Sequence, residues 1–345
     1  MSPPLHMPPE DHADTSASRA SDNPSANAPT NAPTNAPGDA PVFLVGCDRS
    51  GTTLLRLMLM QAPAFHIVHE TGFVPVLADR AEDYGDFSTA RQRWFFLRDI
   101  QRFPATTKTT GWMPFHADVG RVERALSRGA PLTYADACRL LYETSASAAQ
   151  VSRWGDKTPA YVHHLPELAR MFPTAVFVHI VRDGRDVAQS LVQAGWHATI
   201  REAAERWRSS VSAARRAGTT MSAGRYVEIS FEDLVEAPEL TLRALCRGIG
   251  LTYTPTMLEF HRADGDDLLN AHDALYRKTR QPLDPTRAGA WRGEAARTDV
   301  ADVEQVAGDL LQALGYHLTG YRVAPHRRWA RSFIKTVRPV ARQLL

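Results

Sequence analysis

Cysteine is scarce in this chain of 345 residues: there are three, Cys47, Cys138 and Cys246, at wide spacings. That number and spacing exclude a disulfide framework and a zinc-ligand pattern, and they suit a reducing compartment. Long apolar runs are also missing. No stretch reaches the roughly 18 consecutive apolar residues of a membrane span. The N-terminus has neither the basic start nor the apolar run of a signal peptide. The expected location is therefore cytoplasmic. An excess of charge is nearly absent as well. The net charge is +2, and it is uneven. Residues 1–40 hold five acids and one base, residues 325–345 hold six bases and no acid, and the body between them is neutral. A neutral body gives no electrostatic footprint for nucleic acid, so no nucleic-acid partner is expected.

What is present begins with a low-complexity arm. Residues 1–40 are rich in Pro, Ala, Ser and Asn and carry the repeat "NAPTNAPTNAP". Such a segment buries too little apolar surface to offset its ordering entropy, and disorder is expected there. Order is expected from "PVFLVG", a buried strand, followed by the helix "GTTLLRLMLMQ". "FHIVHE" reads as a second strand ending at Glu70. Residues 79–150 read as mainly helical, with aromatic residues that are mostly core. "TAVFVHIV" (174–181) is a central strand. It turns into the helix of "RDGRDVAQSL", with Asp183 as N-cap and Asp186 in the first turn. "RYVEISF" is a further strand. "EDLVEAPELTLRALCRGIG" reads as helical, ended by Gly250. Residues 262–290 read as a long loop. A last body helix is expected to be capped at Thr298 and stopped at Gly315. Strands alternating with helices predict an α/β fold: one main domain, residues 41–324, built on a parallel sheet flanked by helices.

The loop "GCDRSGTT" has the spacing of a P-loop: Gly46, four residues, Gly51, then Thr52 and Thr53. The lysine that normally follows the second glycine is replaced by Thr52, and Arg49 stands inside the turn. Backbone N–H groups at a helix N-terminus form an anion cradle. Arg49, Ser50, Thr52 and Thr53 can all donate to one phosphate there. A second anion site is read at "VRDGRDVAQSL". Arg182 ends a central strand, where open α/β sheets bind ligands, and Ser190 lies two turns further along. Together the two sites suggest a nucleotide phosphorylated at two places. The missing lysine, and the lack of a metal-binding acid after a strand, argue against the alternative of a P-loop kinase. A non-catalytic nucleotide-binding module is the third option. His66, His69, His163 and His164 lack the context of a metal site and read as structural; no metal is expected.

These two motifs resemble the nucleotide motifs of the PAPS-dependent sulfotransferases, where PAPS is 3'-phosphoadenosine 5'-phosphosulfate. Within that superfamily the chain is most similar to the tyrosylprotein sulfotransferase-like branch. The likeness rests on Arg49-Ser50-Gly51-Thr52-Thr53, on Glu70-Thr71 in "HETGFVP", on Lys157 in "WGDKTP", and on Arg182-Asp183-Gly184-Arg185. The resemblance implies a sulfotransferase-like P-loop fold and PAPS as co-substrate. It implies that Arg49, Ser50, Gly51, Thr52 and Thr53 hold the 5'-phosphate, with Arg49 also catalytic, and that Arg182 and Ser190 hold the 3'-phosphate. It implies Glu70 as general base on a hydroxyl-bearing acceptor and Lys157 as stabiliser of the transferring sulfuryl group. From the late loop "YRKTRQPLDPTRAGAWRG" it offers Arg277, Lys278, Arg287 and Arg292 as further contacts. Ala194 stands where the tyrosine branch carries an arginine, and the family's late-loop serine falls near Lys278 or Thr279. The motifs leave the acceptor open among a carbohydrate, a lipid, a small molecule and a peptide tyrosine.

One feature lies outside the resemblance. In residues 325–345, Trp329, Phe333, Val337, Val340 and Leu344 recur on one helical face, and five basic residues recur on another. Two readings stay open: a helix packed on the body, or an interfacial helix at an anionic membrane.

Overall fold

The computed structural model describes residues 40–103, 115, 118–262 and 281–322. The N-terminal arm before Ala40, Trp112, the basic tail 325–345, and Arg277, Lys278 and Thr279 lie outside the described residues.

Five strands form one sheet: β1 (Val42–Gly46), β2 (Phe65–His69), β3 (Arg153–Lys157), β4 (Val176–Val181) and β5 (Tyr226–Ser230). Their order is β2-β3-β1-β4-β5, and every neighbouring pair is parallel. The expected parallel α/β sheet is present. The helices before β4 are α1 (Thr52–Leu59), α2 (Phe73–Ala78), α3 (Ala81–Tyr84), α4 (Ala90–Arg102), α5 (Val119–Gly129), α6 (Tyr134–Ala148) and α7 (Leu165–Met171). Those after it are α8 (Gly184–Gln193), α9 (Ile200–Gly218), α10 (Phe231–Glu236), α11 (Pro238–Ile249), α12 (Trp291–Glu294) and α13 (Arg297–Ala313).

The period-two alternation of strand side chains sorts the core into faces. Val42, Leu44, Val178 and Ile180 pack with α1 and α11. Phe43, Val45 and Phe177 point to the other face and meet the aromatic helices α3 to α6. Tyr84, Phe87, Phe96 and Phe115 are fully buried there, as ordinary core. A third cluster, centred on Trp207, joins α8, α9 and α13.

Three expectations need correction. The strand β3, "RWGDK", went unread, because only Trp154 in it is a strong strand former. All five of its residues are nevertheless buried. Distant partners satisfy its charged groups: Arg153 donates to the carbonyls of Ala40 (2.8 Å), Gly250 (3.0 Å) and Ile249 (2.6 Å). Gly155 is required by close packing, since a Cβ there would sit 2.7 Å from the Val42 carbonyl oxygen. β3 also separates β2 from β1, so Glu70, at the end of β2, lies two strands from the loop after β1. Second, the helix expected over 232–250 is two helices. Pro238 lacks an N–H and disfavours helical geometry at Ala237, which breaks the run between α10 and α11. Gly250 ends α11 in the left-handed region, as expected. Third, α13 begins at Arg297 after Ala296 with no side-chain cap, so Thr298 is inside the helix.

Candidate active site

The loop after β1 is a tight turn, closed by the Ser50 N–H donating to the Cys47 carbonyl at 3.1 Å. Arg49 and Gly51 both adopt positive φ, 69° and 100°. Only glycine fits at 51, because a Cβ there would approach the Phe231 ring to 2.5 Å. The turn delivers the chain into α1, whose first amides have no intrahelical acceptor. Ser50 is fully buried, and its hydroxyl has no hydrogen-bond partner among the described residues. Cys47 in the same turn is fully buried, and burial pushes its thiol up to about 12.

Arg182 directly follows β4. Its guanidinium donates to the carbonyls of Arg49 (3.4 Å) and Arg287 (2.8 Å). It lies 4.3 Å from the centre of the Phe231 ring and 3.5 Å from the Asp186 carboxylate. Burial lowers its pKa, and Asp186 opposes that shift. Its Nε has no partner among the described residues. The side chains of Arg49, Thr52, Thr53, Arg182, Phe231 and Arg287 line one cleft of about 140 Å³.

Arg49 turns from the loop to α8, where its Nε donates to Ser190 Oγ at 3.1 Å. The sequence reading set these two residues at different phosphates; in the structure they touch. Arg287 reaches the cleft. Arg292 is exposed, 5.0 Å from the Trp291 ring, and is not among the residues lining the cleft.

The late loop is tied to the start of α8. Asp186 accepts from the N–H groups of Gly289 (2.9 Å) and Trp291 (2.8 Å). Asp183 caps α8 by accepting from the Arg185 N–H, as expected, and it also accepts from the Trp291 indole at 3.0 Å. Arg185 is committed to this scaffold, with ion pairs to Asp183 and Glu304.

A second polar group lies at the ends of β2 and β3. Glu70, just past β2 with φ of 44°, donates its N–H to the Lys157 carbonyl at 2.8 Å. Lys157 Nζ donates back to Glu70 Oε1 at 2.5 Å and contacts His69 Nε2 at 3.1 Å. The Lys157 side chain is fully buried and that of Glu70 is 13% exposed. Burial lowers the Lys157 pKa, while the Glu70 charge and hydrogen bond raise it. Asp156 points to the opposite face. There its Oδ2 accepts from the hydroxyls of Thr71 (2.7 Å) and Tyr142 (2.8 Å). Burial pushes the Asp156 carboxyl up to about 6, against the pull of those hydrogen bonds. Glu70-Thr71 and Asp156-Lys157 are thus joined by backbone and by both side chains. Because the sheet is parallel, this group and the loop after β1 lie at the same sheet end.

Over residues 41–255 the chain matches the sulfotransferase family. It belongs to that family. It is close to the tyrosylprotein branch. It is 24% identical to protein-tyrosine sulfotransferase 2 of Gallus gallus over 286 residues, covering 80% of this chain and 69% of that protein. It is 26% identical to protein-tyrosine sulfotransferase 1 of Danio rerio, covering 80% and 72%. In fold it resembles the sulfotransferase domain of a Synechococcus olefin synthase, with a TM-score of 0.56, 23% identity, and coverage of 83% of this chain and 98% of that one. The sulfotransferase domain of the curacin biosynthetic pathway gives 0.55, with 20% identity and coverage of 81% and 98%.

In this sulfotransferase the sequence reading did not identify the packing of Phe231 against Arg182 in the cleft, the clasp of Asp186 on Gly289 and Trp291, or the contact of His69 with Lys157. Phe231 had a local signal, since it directly follows the strand beside Arg182. The Asp186 clasp spans 103 residues and has no local signal.

Proposed function

We propose that this sulfotransferase moves a sulfuryl group from PAPS to an acceptor hydroxyl. The observation that carries the reading is the convergence of Arg49, Arg182 and Arg287 on one cleft at the strand ends, beside the N-terminus of α1. The residues fit a bis-phosphorylated nucleotide. Three cations face the cleft, Arg182 Nε is unpartnered among the described residues, and the buried Ser50 hydroxyl is likewise unpartnered. Arg182, Arg287 and Ser190 would hold the 3'-phosphate. The loop amides with Arg49, Ser50, Thr52 and Thr53 would hold the 5'-phosphate, whose charge the helix N-terminus favours. When bound, PAPS supplies an electrophilic sulfuryl group on a phosphate leaving group.

The chain's own residues do the rest. Glu70, held beside Lys157, takes the proton of the acceptor hydroxyl. Lys157, as an ammonium with three N–H donors, would stabilise the charge that develops as the sulfuryl group leaves its phosphate. As in phosphoryl transfer, positioning and electrostatics carry the catalysis. The relatives' names make peptide tyrosine the first acceptor to test, beside carbohydrates, lipids and small phenols. The experiment is an acceptor screen with radiolabelled PAPS. Label on a hydroxyl acceptor, abolished by Lys157→Ala, is the expected result. No transfer to any class, together with no binding of the product PAP, overturns the reading. We place the protein in the cytoplasm, with the 325–345 tail at an anionic membrane surface; that placement rests on the sequence alone.

A further inference from the structure

His69 and Lys157 face each other across two parallel strands. The β2–β3 register pairs His69 with Lys157 residue for residue, which puts both side chains on the α1 face of the sheet. Their nitrogens are 3.1 Å apart. An ammonium has only donors, so the histidine nitrogen must be the acceptor. With Lys157 as the ammonium, His69 is neutral and its Nε2 bare. Its surroundings agree: it is 5% exposed, and burial, Lys157 and Arg56 hold its pKa well below the ordinary imidazole value. Arg56, from α1, is itself buried, with its Nε donating to the Ile67 carbonyl at 2.7 Å. The charged groups acting on Lys157 are therefore Glu70 and Asp156, which favour its ammonium form, and Arg56, which disfavours it.

Of the three Lys157 donors, one goes to Glu70 and one to His69. Without His69 the ammonium would be buried with a single described acceptor and a second cation nearby. We propose that His69 is a positioning residue for Lys157: a neutral, fixed acceptor that keeps the buried amine charged and directs its remaining N–H toward the transferring group. This rests on the reading of Lys157 as the sulfuryl-stabilising residue. His69 is not the general base, because its acceptor nitrogen is occupied by the very cation it orients.

The chain has four lysines, Lys108, Lys157, Lys278 and Lys335, so a lysine-Cε-labelled sample gives a spectrum simple enough to titrate. Lys157 is identified by loss of its signal in Lys157→Met. Removing one hydrogen bond to a charged group should lower the Lys157 titration midpoint by about one pH unit in His69→Leu. His69→Gln, whose side-chain amide oxygen reaches the place of Nε2, should restore it. In turnover, His69→Leu should lower kcat about tenfold with KM for PAPS unchanged. The alkaline limb of its kcat profile should move down with the Lys157 midpoint, and His69→Gln should recover both. An unmoved midpoint in His69→Leu, or equal impairment in the two variants, overturns the proposal. If His69→Leu does not fold, the imidazole nitrogen shifts of the unaltered protein decide: a bare Nε2 supports the proposal and a protonated one overturns it. If the midpoints move as expected while no variant, nor the unaltered chain, transfers label from PAPS, the fault lies in the reading of the reaction and not in the His69–Lys157 pair.

Discussion

Arg49 and Ser190 stand 141 residues apart in sequence, and Arg49 Nε donates to Ser190 Oγ at 3.1 Å. This one bond ties the loop after β1 to the helix after β4. It joins the two motifs proposed to bind phosphate, with Arg182 adding a second link through the Arg49 carbonyl.

Arg49→Ala should remove a charge-assisted bond to the nucleotide, worth about 1.5–3 kcal/mol, or roughly 10- to 150-fold in affinity. Calorimetric titration with PAP measures it. Unchanged affinity would remove Arg49 from the nucleotide site.

Glu70→Gln keeps the shape of the side chain and its contact with Lys157 but cannot take a proton. Turnover should fall by about 10²–10⁴ while PAP affinity stays within a few-fold. Steady-state rates alongside calorimetry separate the two quantities. Turnover within a few-fold of the unaltered enzyme would place the base elsewhere.

The parts of this site that could be read locally are those in which a short run carries its own physics. The apolar run into Gly46 and the turn at Gly51 announce a strand and a tight strand-to-helix turn, and "VHIVRDGRD" announces a strand end with a capped helix. β3 is different. Its arginine, aspartate and lysine are buried because partners distant in sequence satisfy them: Arg153 reaches carbonyls near residues 40 and 250, and Asp156 is held by Thr71 and Tyr142. No local pattern encodes such compensation. The strand order, with β3 inserted between β1 and β2, is likewise a tertiary outcome, and it is what sets His69 against Lys157. The clasp of Asp186 on Gly289 and Trp291 was hidden for the same reason, since an acid in a first helical turn reads as a dipole partner.

Asp156 gives a pH signature. Its folded-state value, about 6, lies above its ordinary value of 3.8. Its contribution to stability is therefore fully present below about pH 4 and is lost as pH rises through about 6, by on the order of 2–3 kcal/mol. Asp156→Asn keeps an oxygen for Thr71 and Tyr142 and removes the titration. Thermal melts between pH 4 and 7 should show the variant gaining on the unaltered protein as pH rises. Parallel profiles would mean that Asp156 titrates normally in the fold.

The tail at 325–345 carries six bases, each worth about 1 kcal/mol near an anionic surface. Full-length protein should co-sediment with anionic vesicles and not with neutral ones, and a chain ending at Ala324 should stay in solution. Equal behaviour of the two chains excludes the membrane role.

The measurement closest to the central claim is a calorimetric comparison of PAP, 5'-AMP and Mg-ATP. A site built from Arg49, Arg182, Ser190 and Arg287 for two separate phosphates should bind PAP at least tenfold more tightly than 5'-AMP, because losing the 3'-phosphate forfeits at least one charge-assisted bond. Arg182→Ala should erase that difference. Binding of Mg-ATP as tight as that of PAP, or no preference for PAP over 5'-AMP, would contradict the account.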